Sequence, residues 1–312
     1  MNHQTRVYND IFEMLPSEEN PSPMVRINRM SPSPDFELHA KLEWLNPFGS
    51  VKDRAAWAML REMEEKGEVG HGRGLVEPTS GNTGISLAAM AKARGYHIRA
   101  VVPNKVPLEK KVLLKIAGAE LDVVNDALCP APGLGDGSIN IAKSHAKAQA
   151  KKYAMPNQYE NEQNVLAHMR TTGPEIWRQT EGKVTHLFVS LGTCGTVSGT
   201  SRFLKGKNSS IKVIAVQPTE GHDVPGLRNV SQLGVSKLFE VEYKLAYARA
   251  MELCQTEGLL AGPSSGLIYE GAREIILRDK KGFGVMIFPD NIFKYTSNMM
   301  KHIPGLATGN EA

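Results

Sequence analysis

Cysteine is scarce in this 312-residue chain, which holds three: Cys129, Cys194 and Cys254. Odd in number and widely spaced, they form neither a disulfide framework nor a metal-ligand pattern, so a disulfide scaffold and a cysteine-built metal site are excluded and a reducing cytoplasm is expected. Charge of one sign is scarce too. Lysine and arginine number 37 against 33 acidic residues, a formal charge of +4, too small and too dispersed to point to nucleic acid. No apolar run approaches a membrane span, and the opening MNHQTRVYNDIFEML lacks the apolar core of a signal peptide. The expectation is a soluble intracellular protein whose partners are small molecules. At this length two domains with a cleft between them are expected.

What is present is alternation. From Gly74 the segments LVEP, HIRAVVP and ELDVV read as strands, with ISLAAMAKARG and LEKKVLLKIAG as helices between them. This βαβαβ rhythm predicts a parallel sheet. Gly95 and Gly118 stand where a left-handed residue closes each helix, and Pro103 and Pro107 mark the loop between. A second set follows: VTHLFVSL, LGTCGTVSG opening a helix, IKVIAVQP, a long helix over 244–256, a helix after PSSG, and GVMIFPD. Between the sets, ALCPAPGLGDGSIN reads as an irregular loop. The expected organisation is a small parallel sheet over 46–155, flanked in sequence by 1–45 and 156–312, which form a larger one. The tail GLATGNEA is expected to fray.

Four segments carry residues suited to chemistry. Lys52 lies in NPFGSVKDR, where Ser50 and Asp53 have the spacing of a capping box and an apolar-periodic helix follows. The positive end of that helix disfavours an ammonium and biases the amine toward its free, nucleophilic form; read alone, such a lysine is more often simply exposed. TSGNTG (79–84), between a buried strand and an apolar helix, gathers hydroxyls and backbone N–H groups at a helix N-terminus. It reads either as an anion site on Thr79, Ser80 and Thr83, with the Asn82 amide reaching a cofactor ring, or as an ordinary capped turn. GTCGT (192–196) has glycines that let the backbone approach a phosphate. Its spacing is not the G-x-G-x-x-G of a dinucleotide site, so a single phosphate fits better. PSSG (263–266) sets Ser264 and Ser265 near a helix start, a weak signal because serine is a common cap.

Together these segments form a series. KLEWLNPFGSVKDR, EPTSGNTG, QYENEQN, TTGPEIW, SLGTCGT and AGPSSG resemble the motifs of the cysteine synthase family, pyridoxal-phosphate enzymes of the tryptophan-synthase-β fold, and the resemblance spans 21–290. It implies an α/β chain of two three-layer domains with pyridoxal 5′-phosphate in the cleft between them, and a homodimer. It implies Lys52 as the Schiff-base lysine and base, Asn82 on the cofactor's phenolic oxygen, and Gly192, Thr193, Cys194, Gly195 and Thr196 around its phosphate. Ser264 would face the pyridine nitrogen, a neutral partner that moderates electron withdrawal toward elimination. Thr79, Ser80, Gly81, Thr83 and Gln158 are the implied ligands of the substrate carboxylate. Two stretches depart from the usual pattern: Cys194 stands for a glycine, and KVP (105–107) for a Met-Ser pair.

The implied reaction is β-replacement on acetylserine or phosphoserine by sulfide, giving L-cysteine. Release of hydrogen sulfide from cysteine, cystathionine β-synthesis and dehydration are the enzymatic alternatives, because one fold hosts them all. The asparagine of TSGNTG and the QYEN segment favour the synthase branch, and the short stretch after Asp290 is expected to hold no regulatory module. A catalytically silent scaffold is disfavoured by the intact Lys52, Asn82 and Ser264. GHDVPGLRN (221–229) is expected to face the cleft. Arg228, in an LRN run like that of the phosphoserine-using branch, would bind an anionic leaving group in bidentate fashion. Asp223, where the resembling acetylserine enzymes more often carry a lysine, would repel anions and orient water; alternatively the two pair with each other at the rim.

Overall fold

The computed structural model describes residues 7–126, 137–229 and 239–306. Cys129, most of the ALCPAPGLGDGSIN loop and the end of the GLATGNEA tail lie outside them. Strands β1 (Met24–Arg26) and β2 (Phe36–Leu42) lead into helix α1 (Lys52–Glu65). There follow β3 (Gly74–Pro78), α2 (Asn82–Ala93), β4 (Ile98–Pro103), α3 (Leu108–Ile116), β5 (Glu120–Val124), α4 (Ser138–Ala148) and β6 (Tyr153–Ala154). Helices α5 (Gln163–Arg170) and α6 (Thr172–Gln179) precede β7 (His186–Ser190), α7 (Gly195–Lys207), β8 (Lys212–Pro218) and β9 (Phe239–Val241). Helices α8 (Tyr243–Glu252) and α9 (Pro263–Asp279), strand β10 (Gly282–Phe288) and helix α10 (Thr296–His302) complete the described chain.

Two sheets result, each with helices on both faces. The first runs β1-β2-β10-β7-β8-β9, parallel except for the β1–β2 pair. The second runs β5-β4-β3-β6 and is parallel throughout. The apolar runs read as strands are strands of these sheets; β3, β7 and β10 are largely buried, whereas the edge strand β5 (ELDVV) holds no buried residue. Strand side chains alternate faces, so Met286 and Phe288 of β10 pack with Ile268 and Ile276 of α9, while Val285 and Ile287 pack with Ile176 of α6 and Leu204 of α7. The smaller sheet repeats the pattern. Leu75, Ala100 and Val102 meet Leu60 of α1 and Leu87 and Met90 of α2 on one face, and Val76 and Val101 meet Ala142 of α4 on the other.

Helices α2 and α3 are followed by Gly95 (φ 81°) and Gly118 (φ 94°), as their left-handed closure requires. The helix expected over 244–256 ends earlier, at Glu252, and the chain continues as one widened π turn (Leu253–Glu257) that closes on Gly258 (φ 75°). The capping box at α1 is also different from its sequence spacing. The Ser50 hydroxyl takes the Lys52 N–H (3.2 Å), but the Asp53 carboxylate reaches past Ser50 to the Phe48 N–H (2.7 Å) and the Ser86 hydroxyl (2.6 Å). The cause is the turn at Gly49 (φ 81°), which folds Phe48 back over the helix start.

Helix α1 is anchored by charge as well as by packing. Arg54 is buried with Nε 2.8 Å from Glu43 and Nη1 2.5 Å from Glu175, whose other oxygen is 2.7 Å from Lys41. Burial would raise the Glu43 carboxyl, yet the Arg54 guanidinium holds it down at about 2. Because that value is depressed, the stability Glu43 contributes is complete above its ordinary value of 4.5 and drains away as pH falls toward 2. Removing one partner leaves buried charge uncompensated. Glu175→Ala is therefore expected to lose about 3–5 kcal/mol, read from the urea midpoint; a loss below about 1 kcal/mol would show the network to be dispensable.

Candidate active site

A cleft of about 880 Å³, open solvent at its mouth included, lies where the strand C-termini of the two sheets meet. Loops at this edge of parallel sheets are where ligands bind. Lys52 at the start of α1, Thr79, Ser80, Asn82 and Thr83 after β3, Gln158, Gly192, Thr193, Cys194 and Thr196 after β7, Arg228, and Ser264 in α9 all line it. Gly81, Gly195 and Asp223 do not line it. The two glycines sit behind the surface: a Cβ on Gly81 would come within 2.5 Å of Lys110 Cδ, and one on Gly195 within 2.2 Å of Asn164 Oδ1.

The Lys52 amine is 3.4 Å from the Thr193 hydroxyl. Burial depresses it to about 8, with Cys194 and Asp290 opposing and Arg228 assisting the shift. Burial, more than the helix start, is the cause. At neutral pH an amine titrating at about 8 is free roughly 300-fold more often than one at 10.5.

The 192–196 turn feeds α7, a 13-residue helix without a side-chain cap, through Cys194 at φ 66°. Its support comes from α5. Asn164 Nδ2 donates to Thr193 Oγ1 (2.8 Å) and to the Gln158 carbonyl (2.7 Å). His168 bridges the hydroxyls of Thr172 (2.8 Å) and Thr196 (3.2 Å), and burial, with help from Arg54 and Lys52, holds the imidazole at about 3, hence neutral. Neither residue is apparent as a site residue in the sequence; their spacing in α5 is the one available hint.

The Thr79 hydroxyl accepts the Gly81 and Gly84 N–H groups, both at 3.0 Å, so its acceptor capacity goes to the turn itself and its O–H remains to donate. Thr83 donates to Gln158 Oε1 (2.6 Å), and Gln158 Nε2 donates to the Pro78 carbonyl (2.8 Å). Beneath them Glu77, raised to about 7 by burial, accepts the backbone N–H groups of Asn157 and Gln158.

Asp223 is placed differently from its expected position. Its carboxylate is paired with Lys301 and with His302 (3.0 Å) on α10, and its carbonyl with the Tyr247 hydroxyl, which turns it from the cleft. It pairs with α10, not with Arg228. The Arg228 guanidinium stacks 4.5 Å over the Tyr159 ring. The cleft also contains Lys110 and Tyr295, which the motif series did not include.

These groups fit pyridoxal phosphate. A low-pKa lysine, an uncapped helix N-terminus flanked by threonine hydroxyls, and a serine at the opposite helix start meet its aldehyde, phosphate and ring in kind. The family model for pyridoxal-phosphate dependent enzymes matches residues 15–237. Cysteine synthase B of Salmonella typhimurium is 36% identical over 287 residues, covering 88% of this chain and 92% of that protein. Cysteine synthase of Aquifex aeolicus is 36% identical over 296 residues, 89% of each. Among solved structures, a hydrogen sulfide-producing enzyme of Fusobacterium nucleatum superposes with a TM-score of 0.82 at 28% identity, over 93% of this chain and 100% of that one. O-ureido-L-serine synthase superposes at 0.83 and 27% identity, over 96% and 97%. This chain belongs to the pyridoxal-phosphate dependent enzymes and, within them, to the cysteine synthase family.

Cys194 occupies left-handed backbone that costs a residue with a Cβ. Cys194→Gly is expected to raise stability by about 0.5–1 kcal/mol in urea denaturation, and Cys194→Val to lower it by more. A destabilised glycine variant would show that the thiol's packing outweighs the backbone strain.

Proposed function

We propose that this protein makes L-cysteine from an activated serine and sulfide by β-replacement, using pyridoxal 5′-phosphate. The observation that carries the reading is the Lys52 amine, desolvated and poised near 8, on a cleft lined by one carboxylate-type turn and one phosphate-type turn. Lys52 would carry the cofactor covalently. The α7 N–H groups with Gly192, Thr193, Cys194, Gly195 and Thr196 would hold its phosphate, Asn82 its phenolic oxygen and Ser264 its ring nitrogen. Bound there, the cofactor supplies the electron withdrawal that acidifies the substrate's α-hydrogen. The Thr79 and Ser80 hydroxyls, the N–H groups after Gly81, Thr83 and Gln158 orient the substrate carboxylate. The freed Lys52 amine takes the α-proton, a task its depressed pKa suits.

Arg228 is the group we assign to the leaving group, which makes phosphoserine the donor to test first against acetylserine. Hydrogen sulfide release from cysteine is the second reading, favoured by the Fusobacterium neighbour's activity. Asp223 is not retained as its water-orienting group, because its carboxylate is committed to Lys301 and His302. We read 46–155 as the lobe that carries the substrate, 1–45 and 156–312 as the lobe that carries the cofactor, and the protein as a cytoplasmic homodimer, the larger lobe providing a fixed interface. Among the described residues no helix is long and apolar enough to cross a membrane.

Lys52→Ala is expected to abolish both the visible absorbance of the purified protein and its cysteine synthesis. Retention of the band would remove Lys52 from its role. After removal of the cofactor, the rate at which wild-type protein recaptures it should rise with pH and level off above about 8, since the free amine is the reactive form. A rate still climbing toward 10 would contradict the depressed value. Arg228→Ala should lower kcat/KM for phosphoserine about thirtyfold and leave that for acetylserine nearly unchanged. Equal losses on both donors would mean that Arg228 does not read the phosphate.

A further inference from the structure

The segment after the last strand, 289–295, touches three of the four loops that carry a proposed cofactor contact, those of Lys52, Asn82 and Ser264, and no motif in the sequence marks it. The Pro289 carbonyl takes the Val51 N–H (2.8 Å), next to Lys52, and Lys294 Nζ donates to the Gly49 carbonyl (2.8 Å). The Asp290 carbonyl takes the Gly262 N–H (3.0 Å), next to the Ser264 turn, and a Cβ on Gly262 would lie 2.5 Å from Asp290 Oδ1. From the turn after β3, Asn82 Nδ2 donates to Asp290 Oδ2 (2.7 Å), and Asn82 Oδ1 accepts from Lys294 Nζ (3.3 Å).

The two charged partners decide which way the Asn82 carboxamide faces. Rotating it by half a turn would set its oxygen against the Asp290 carboxylate and its NH₂ against the Lys294 ammonium, exchanging two attractive contacts for two repulsive ones. Asp290 is held in turn. Its Oδ2 also accepts the Tyr295 hydroxyl (2.6 Å), whose oxygen takes a hydrogen bond from Lys110 Nζ (2.9 Å). Asp290 is fully buried, and Lys110 and Lys294 are both nearly so, so the interaction is little screened by solvent. The NH₂ group has two hydrogens; it gives one to Asp290 and also lies within reach of the Tyr295 hydroxyl, which Asp290 and Lys110 already engage.

We propose that Asp290 is a positioning residue for the cofactor: with Lys294 it locks the Asn82 carboxamide in one orientation and leaves its second N–H for the phenolic oxygen of the ring. The inference rests on the assignment of Asn82 made above. Lys110 and Tyr295, from helix α3 and the segment that follows β10, act through Asp290 by fixing its carboxylate.

The test is a double-mutant cycle on the purified holoenzyme, with a readout apart from turnover. The visible absorbance of the bound cofactor is followed after dilution into an excess of a scavenger of free pyridoxal phosphate. Asn82→Ala and Asp290→Ala are each expected to speed loss of the band about tenfold and to shift intensity between the visible and near-ultraviolet bands. The double variant is expected to lose it no more than about twofold faster than either single variant, since both remove the same contact. Asp290→Asn, which keeps an acceptor for Asn82, should recover part of the wild-type spectrum, and it carries the same cycle if the alanine variant does not fold. Effects that multiply in the double variant, or an Asp290 variant indistinguishable from wild type, would overturn the proposal. An Asn82→Ala protein with unchanged band and unchanged loss rate would instead defeat the assignment of Asn82, so the two failures are distinct.

Discussion

A carboxylate without solvent needs several hydrogen bonds to stay in a protein interior, and Asp290 obtains its two from groups far apart in the chain. Asn82 comes from the turn after β3 in the smaller sheet, and Tyr295 from the segment that follows β10 in the larger one. Satisfying one buried oxygen therefore requires the loops that follow two interior strands, β3 and β10, to meet at the C-terminal ends of the two sheets. The cleft is the space left above that junction, and Lys52, Asn82 and Ser264 acquire their relative positions from loops that all touch the same short segment. Glu109 adds a second clasp across the junction: its carboxylate takes the Ser297 N–H and the hydroxyls of Thr296 and Ser297 at the start of α10.

The charged side chains that line the cleft, among the described residues, are cations. Lys52, Lys110 and Arg228 line it, and Lys294 lies just behind. Burial lowers Lys52 and Lys110 to about 8, and Lys294 is lowered for the same reason. Desolvation shifts these amines toward their free form, and the positive charge that remains, that of Arg228 included, favours an anionic ligand. The shared carboxylate of Asp290 keeps this group of lysines from simply repelling one another, opposing the depression at all three.

Rigidity is provided from below. Helix α1 carries Lys52 in its first turn and is pinned by Arg54 to Glu43 and Glu175. Helix α5 holds the phosphate-type turn through Asn164 and His168, and its neutral imidazole fixes the Thr196 hydroxyl without adding a charge. A site whose side chains are held by a buried supporting layer loses little freedom when a ligand arrives, which is how preorganised sites gain affinity.

The alternation of short apolar runs with amphipathic stretches determined two α/β sheets, because strands buried on both faces have nowhere else to lie. The turns TSGNTG and GTCGT, each between a strand and a helix, marked two candidate anion sites, since a helix start in that setting offers N–H groups outside the helical ladder. Local chemistry of that kind is legible residue by residue. The tertiary structure alone decided that Asp223 turns away to Lys301 and His302, that Arg228 lies over Tyr159, and that Asp290, Lys294, Lys110 and Tyr295 gather around Asn82. Those partners are separated by dozens to hundreds of residues, and neither propensity nor spacing encodes which distant side chain will satisfy a buried charge. That choice is made only when the two sheets pack and water is excluded from between them.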